Sequence, residues 1–211
     1  MVDSAPPSTK AGRVHEVIRT DILTGRLAAG DTVDEVLTAA EHEVSRTPVR
    51  EALRALTSEG LLVPGPRRQL RVVDVSPEHR REITSLRVAL ERTAAEPACA
   101  RRSTEDVDRL RLLVHRQRRK AKGGEAMAFL EADEVFHRTL AEVAAMPTLL
   151  LLLDQLGAFV RLARLGEPTP RSHMLALTRE HDHLVDLLED GEGAALARAL
   201  DAHIRSTAHR P

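Results

Sequence analysis

Carboxylate and imidazole side chains cluster in three short stretches of the second half of the chain. D-E-V-F-H at 133–137 places Asp133 and His137 one turn apart on the same face of a predicted helix. E-H-D-H at 180–183 and D-A-H-I at 201–204 add histidines on two further helices. One carboxylate and three imidazoles suit zinc, nickel or another borderline divalent cation, and helical bundles build metal sites in this way.

Two features of these residues leave alternatives open. His181 and His183 cannot both face inward on a straight helix, so either one is a candidate ligand. Each histidine taken singly also fits an ordinary surface or core position. A metal with an open coordination position would permit a metal-dependent hydrolase or oxidase, with Glu134 or Glu180 beside the ligands. A bundle that serves only as a dimerisation scaffold, without metal, is the third possibility.

A second group of chemically suggestive residues lies in S-R-T-P-V-R-E-A-L-R at 45–54. Proline is tolerated at the start of a helix, so we predict that Thr47 caps a helix beginning at Pro48. Arginines recur along it at intervals of four residues: Arg46, Arg50 and Arg54. They share one side of the helix, where they could contact phosphates or guanine edges in a major groove, or form a solvated charged face.

Helix and strand signals divide the chain near Ser76. The first region is predicted to contain three helices and two strands, which is a winged helix-turn-helix outline: helices at 10–25, 34–41 and 48–60, strands at 61–63 and 70–73. Long amphipathic segments separated by breakers then predict about six helices: 77–102, 104–122, 125–145, 148–166, 171–190 and 193–208. The predicted fold class is therefore mainly α.

Composition narrows the functional classes. The chain of 211 residues is 42% hydrophobic and 30% charged, as expected for a globular protein. Its net charge of −1 means that any basic surface is local, and 1% aromatic residues disfavour stacking on single-stranded bases. The single cysteine, the lack of a membrane-length apolar run and the absence of a secretory signal predict a cytoplasmic protein.

The arginine segment resembles the signature of a known family. V-S-R-T-P-V-R-E-A-L-R-A-L-T-S-E-G-L-L at 44–62, preceded by G-R-L-A-A-G-D-T-V at 25–33, is similar to the GntR family of bacterial transcription factors. The resemblance implies a winged helix-turn-helix that binds operator DNA as a dimer. It implies DNA contacts from Arg46, Thr47 and Arg50 of the recognition helix and from the wing turn near Arg67. Together with their neighbours Ser45, Arg54 and Arg68, these are the predicted DNA-binding residues. This chain has H-E-V where the family usually has Leu-Gly-Val, so Glu43 replaces a turn glycine.

The second half resembles the ligand-binding bundle called FCD, found in the FadR branch of the GntR regulators. The segments that carry the resemblance are E-I-T-S-L-R-V-A-L-E-R-T-A-A at 82–95, D-E-V-F-H-R-T-L at 133–140 and E-H-D-H-L-V-D-L-L-E-D-G-E at 180–192, followed by H-I. The resemblance implies four metal ligands: Asp133, His137, His181 and His203. It also implies that Arg87 helps to hold a small carboxylate effector. Before the next helix the family usually has Gly-Asn, whereas this chain has A-A-M-P.

Together these features predict a metabolite-responsive transcriptional regulator, most simply a repressor. A disordered tail over 1–9, a DNA-binding domain over 10–75 and an effector-binding and dimerisation domain over 76–211 are expected. The expected partners are double-stranded operator DNA, a small carboxylate and a second copy of the chain. The main alternative is the metal-dependent hydrolase or oxidase.

Overall fold

The chain forms two compact units. The computed structural model describes residues 9–66, 69–165 and 169–208. Among the described residues, one unit comprises the chain up to Ser76 together with 161–165, and the other comprises 77–160 and 169–208. No helix within the described ranges is long and apolar enough to cross a membrane.

The N-terminal unit has the winged helix-turn-helix order. Its elements are α1 (Lys10–Leu23), β1 (Thr32–Val33), α2 (Glu35–Glu41), α3 (Arg46–Ser58), β2 (Leu62–Pro64) and β3 (Leu70–Val72). The strands form an antiparallel sheet in the order β1-β3-β2, in which β3 pairs with both neighbours. Strand β1 was not predicted, because two residues are too short to show an alternating pattern.

Apolar stripes on α1 and α3 build the core of this unit. Val14, Ile18 and Ile22 recur at intervals of four on α1 and are at most 3% exposed. On α3, Val49 and Leu56 are completely buried. The apolar face of α3 is thus fixed in the core, which leaves its opposite, arginine-bearing face toward solvent.

The start of α3 differs from the prediction. The helix begins at Arg46 with Ser45 as its N-cap, and the Ser45 side chain makes no capping hydrogen bond. The predicted Thr47 cap and Pro48 start are therefore wrong by two residues. Pro48 still lies in the first turn, where backbone N–H groups have no partner inside the helix, so the proline costs no hydrogen bond there.

Six helices follow in the second part of the chain. They are α4 (Pro77–Arg101), α5 (Thr104–Gly123), α6 (Ala126–Val143), α7 (Pro147–Arg164), α8 (Arg171–Asp190) and α9 (Gly193–Ala208). A capping box between Ser103 and Asp106 begins α5, and left-handed Gly124 and Gly191 end α5 and α8. These local signals explain why the boundaries of the helices could be predicted within a few residues.

Large apolar side chains from several helices form the core of the bundle. Phe136 and Leu140 of α6, Leu184 and Leu188 of α8, and Leu110 of α5 are all at most 1% exposed. Helices α4, α6, α8 and α9 also bury polar side chains in this interior. Burial of polar groups is costly unless they are paired, so these residues mark a candidate site.

Two turns hold non-glycine residues in the left-handed region. Glu43, between α2 and α3, has φ 51°, and Ala145, between α6 and α7, has φ 53°. These are the only non-glycine residues with positive φ within the described ranges. Both stand where the sequence departs from the glycine usual in the families that it resembles. Both turns therefore keep the left-handed backbone that favours glycine, although they hold residues with a Cβ atom, and this lowers the stability of the fold.

Glu43→Gly is expected to raise the free energy of unfolding of the N-terminal unit by about 0.5–1 kcal/mol. A left-handed L-residue costs about 1–2 kcal/mol, and the greater flexibility of unfolded glycine offsets part of this gain. Urea denaturation followed by circular dichroism measures the change. Glu41→Gly is the control: Glu41 is helical, so glycine there should destabilise. An unchanged or lower urea midpoint for Glu43→Gly would contradict the prediction that the backbone of Glu43 is strained.

Candidate metal centre and nucleic-acid interface

Four buried side chains from three helices converge inside the bundle. Asp133 and His137 project from α6, His181 from α8 and His203 from α9, and none is more than 3% exposed. One ligand atom from each lies within 4.8 Å of all the others. The structure thus brings together the four residues proposed as metal ligands from the sequence.

Short distances between nitrogen atoms define the centre. His203 Nε2 lies 3.0 Å from His181 Nε2 and 3.2 Å from His137 Nε2. Asp133 Oδ1 lies 3.3 Å from His181 Nε2 and 3.8 Å from His137 Nε2. All three imidazoles therefore direct the same ring atom, Nε2, toward one point beside a carboxylate oxygen.

An outer oxygen atom faces the other nitrogen of each ring. His137 Nδ1 lies 2.6 Å from Glu91 Oε2, and His203 Nδ1 lies 2.7 Å from Glu180 Oε2. A carboxylate only accepts hydrogen bonds, so both Nδ1 atoms carry the proton and donate it. These contacts fix the tautomer in which Nε2 keeps its lone pair.

Gln117 plays the same part for His181. Its Oε1 lies 2.6 Å from His181 Nδ1, while its Nε2 donates to the carbonyl oxygen of Ala132 at 3.0 Å. The second bond orients the amide, so that its oxygen is the atom that faces the imidazole. His181 therefore also donates from Nδ1 and presents a bare Nε2 to the centre.

The electrostatics of the centre favour neutral imidazoles and a bound cation. Burial lowers the pKa of His137 and lowers that of His181 well below its ordinary value. Two unprotonated nitrogens 3.0 Å apart cannot hydrogen-bond to each other. A divalent ion among the four groups would accept all three lone pairs and compensate the Asp133 charge, so the donor set fits a metal.

The structure distinguishes between the two histidines of E-H-D-H. His181 is completely buried in the cluster, whereas His183 is exposed. A separation of two residues turns a helical side chain by roughly 200°, so only one of the pair can face the interior. The geometry thus favours His181 as the ligand candidate.

Arg87 belongs to a buried charge network that reaches the centre. Its Nε donates to Glu91 Oε1 at 2.7 Å, and the other oxygen of Glu91 accepts from His137. Burial alone would raise the pKa of Glu91, but its electrostatic interactions and hydrogen bonds with His137 and Arg87 outweigh burial and lower that pKa to about 2. The Arg87–Glu91 ion pair is buried, so loss of one partner would be strongly destabilising.

Sequence analysis missed the outer partners of the histidines. Glu91 could have been found as the residue one turn beyond Arg87, and Glu180 stands directly before His181. Gln117 lies in the basic run R-Q-R-R-K, which gives no sign that its side chain is buried. A contact between distant helices leaves no local signal in one sequence.

The predicted DNA-contacting residues occupy the free face of α3. All of those described are exposed: Ser45, Arg46, Thr47, Arg50 and Arg54. Arg67 and Arg68, predicted on the wing, lie outside the described residues. The structure also pairs Arg46 and Arg50 with Glu35 of α2, a contact that sequence analysis missed.

The fold defines a class of protein: a winged helix-turn-helix, an architecture typical of DNA-binding proteins, followed along the chain by an all-α bundle. The family of bacterial regulatory proteins named gntR matches residues 10–72, and the FCD domain matches residues 82–206. The chain belongs to the GntR family of bacterial regulators and carries an FCD domain. It is accordingly a transcriptional regulator rather than an enzyme.

Similar proteins agree with this assignment. A probable D-xylose utilization operon transcriptional repressor of Paenarthrobacter nicotinovorans is 31% identical over 208 residues, which cover 96% of this chain and 90% of that protein. The transcriptional repressor RspR of Escherichia coli K12 is 27% identical, over 92% of this chain and 85% of its own. Both relatives are described as repressors.

Solved structures show the same fold. Escherichia coli McbR/YncC superposes with a TM-score of 0.81 at 21% identity, over 93% of this chain and 94% of its own. A putative GntR regulator of Rhodococcus sp. RHA1 gives a TM-score of 0.79 at 20% identity, over 94% and 95% of the two chains. The arrangement of helices is therefore shared over nearly the whole chain.

His181→Ala is expected to abolish stable metal binding, whereas His183→Ala should leave it intact. The first change removes one of the converging nitrogens, and the second removes an exposed imidazole. Elemental analysis of protein purified without chelator or metal-affinity steps should find about one divalent ion per chain in the wild type and in His183→Ala. A folded wild type without metal, or equal metal content in all three proteins, would contradict the assignment.

Proposed function

We propose that this regulator is a metabolite-responsive repressor that binds a near-palindromic operator as a homodimer. A small carboxylate effector would control it by binding at a divalent metal held by Asp133, His137, His181 and His203. The observation that carries the proposal is the convergence of three unprotonated imidazole nitrogens beside a carboxylate in a dry interior. We assign residues 10–75 to DNA binding and 76–211 to effector binding and dimerisation.

Zinc or nickel is the metal that these ligands favour. Imidazole nitrogens bind borderline divalent ions, whereas magnesium and calcium prefer oxygen ligands. The three histidines supply nitrogen and Asp133 supplies the one oxygen. Bound there, the ion would supply a Lewis acid to which a carboxylate oxygen could bind.

The charges around the centre support an anionic effector. Arg87 is positive, Asp133 and Glu91 are negative, and all three are at most 5% exposed. With a divalent ion added, these three fully buried groups sum to one positive charge in a medium of low dielectric constant; the half-buried Glu134, which also interacts with Arg87, lies outside this sum. Glu180 is 43% exposed and is therefore screened by solvent. An effector with one carboxylate would neutralise the excess charge, and Arg87 is the nearby side chain suited to bind it.

The DNA-binding half of the proposal depends on α3. Arg46, Arg50 and Arg54 lie exposed on the helix that this fold class inserts into the major groove. A dimer would present two such helices, so the half-site spacing would reflect the spacing of the two recognition helices. The relatives described as repressors support repression as the direction of control.

Effector control requires a difference in affinity between conformations. An effector that bound equally well to the DNA-binding and the non-binding arrangement would shift nothing. The site is fully buried, so occupancy can alter the packing of α4, α6, α8 and α9. We propose that the effector binds more tightly to one of two arrangements of the dimer, which differ in the position of the two DNA-binding domains.

Arg50→Ala is expected to weaken operator binding by about 1–3 kcal/mol, or roughly fivefold to 150-fold, the usual loss for a base-reading arginine. The operator would first be selected from random duplex DNA, and binding would then be measured by fluorescence anisotropy at fixed salt. Arg111→Ala is the matched control, because Arg111 is an exposed arginine of the bundle paired with Asp186. Equal affinity of the Arg50 and Arg111 variants would overturn the role of α3, and a selected site without two half-sites would overturn the dimer.

Arg87→Lys is expected to weaken carboxylate binding by about tenfold, because lysine keeps the charge but loses the planar guanidinium fork. Small mono- and dicarboxylates would be screened by calorimetry against the zinc-loaded wild type, and the best binder would then be titrated into the variant. Arg92→Lys serves as the control, since exposed Arg92 pairs with Asp201. Unchanged affinity in Arg87→Lys, or no carboxylate binding to metal-loaded protein, would contradict the proposed effector site.

A further inference from the structure

We propose that Glu35 is a positioning residue that holds Arg46 and Arg50 in the orientation that reads operator bases, and so sets sequence specificity. The inference rests on the proposed base-reading role of these two arginines. Glu35 itself would not contact a base. It would act by restricting where the two guanidinium groups can point.

One carboxylate holds both arginines. Glu35 Oε1 accepts a hydrogen bond from Arg46 Nε at 2.9 Å and another from Arg50 Nη2 at 2.8 Å. Its second oxygen, Oε2, accepts from Arg50 Nε at 3.1 Å. The carboxylate therefore binds Arg50 through two parallel bonds and Arg46 through one, across the turn between α2 and α3.

The donors used for Glu35 leave others available for DNA. Glu35 holds Arg46 through Nε alone, so within the described ranges both Nη groups of Arg46 stay available, as does Nη1 of Arg50. Paired Nη donors are the groups that bind guanine O6 and N7. The arginine side chains remain 61% and 51% exposed, so the carboxylate orients them without covering them.

The local backbone stabilises the carboxylate in this position. Glu35 is the first residue of α2, directly after Asp34, whose side chain caps the helix by accepting from Val36 N and Leu37 N. A negative charge in the first turn of a helix is favoured by the helix dipole. The hydrogen bond from Arg50 is the largest influence that lowers the pKa of Glu35, so the group remains ionised near neutral pH.

Two consequences of the pairing raise specificity. An arginine that is already held loses less rotamer freedom when it meets its base, which favours the correct site. The carboxylate also cancels one of the two positive charges, which weakens attraction to phosphates of any sequence. A single surface ion pair would restrict rotamers little and would contribute little free energy, whereas the Glu35 carboxylate holds two arginines at once.

The experiment compares full-length proteins on two duplexes, the selected operator and a scrambled sequence, at one salt concentration. Glu35→Gln is expected to lower the ratio of the two affinities about fivefold to tenfold, within the range of one bidentate base contact. Glu51→Gln is the matched control, because it removes the same charge from an exposed position on α3. In the described part of the chain, Glu51 pairs with neither arginine. That variant should bind both duplexes more tightly and keep the ratio.

A further variant distinguishes the effect of side-chain length at position 35 from the effect of its negative charge. Glu35→Asp keeps the negative charge but is one methylene too short to bridge both arginines, so it should also lower the ratio. Melting temperatures close to that of the wild type would show that the variants are folded. If Glu35→Asp and Glu35→Gln keep the wild-type ratio, or if Glu35→Gln behaves like Glu51→Gln, Glu35 contributes charge alone and the inference fails.

Arg50→Ala distinguishes this inference from the function on which it rests. Arg50→Ala is expected to lower the ratio, and adding Glu35→Gln to that variant should lower the ratio little further. This result would show that the two residues act together, as proposed. An undiminished effect of Glu35→Gln in the Arg50→Ala background would overturn the positioning role. An Arg50→Ala variant that keeps the full ratio would overturn the base-reading role of Arg50 itself.

Discussion

The bundle is organised around a repulsion that the protein chain does not relieve by itself. His203 Nε2 lies 3.0 Å from His181 Nε2 and 3.2 Å from His137 Nε2, and in each ring the proton is held on the far nitrogen. Around them the interior is packed with large apolar side chains such as Phe136, which stacks on His181. Water has little access to this interior, so a cation is the natural means of satisfying the nitrogens.

Much of this arrangement could be predicted from one sequence. The pair Asp133 and His137 lies one turn apart, and a helix long enough to carry both is evident from its apolar pattern. His181 and His203 could be placed on helices by the same periodicity. Their convergence could not be derived from the pattern, because the packing of four helices depends on contacts between residues far apart in the chain.

The remaining differences between prediction and structure have two causes, one local and one that involves distant residues. The start of α3 was misplaced because proline is acceptable throughout the first helical turn, so its presence does not fix the first residue. Thr47 is accordingly the second residue of the helix and not its cap. Gln117 and Glu35 were missed because each acts through a partner at least 11 residues away, and the spacing of a single segment contains no record of such a partner.

The Glu91 carboxylate contacts both Arg87 and His137, so it would couple binding of the proposed effector to binding of the metal ion. One of its oxygens accepts from Arg87 and the other from the imidazole of His137. An effector that drew Arg87 away from Glu91 would leave more negative charge on the bond to His137 and make that ring a stronger electron donor to the ion. By thermodynamic reciprocity, metal loading would then improve affinity for the effector. Such a regulator would behave as a coincidence detector, whose response to the metabolite depends on how much metal the cell contains.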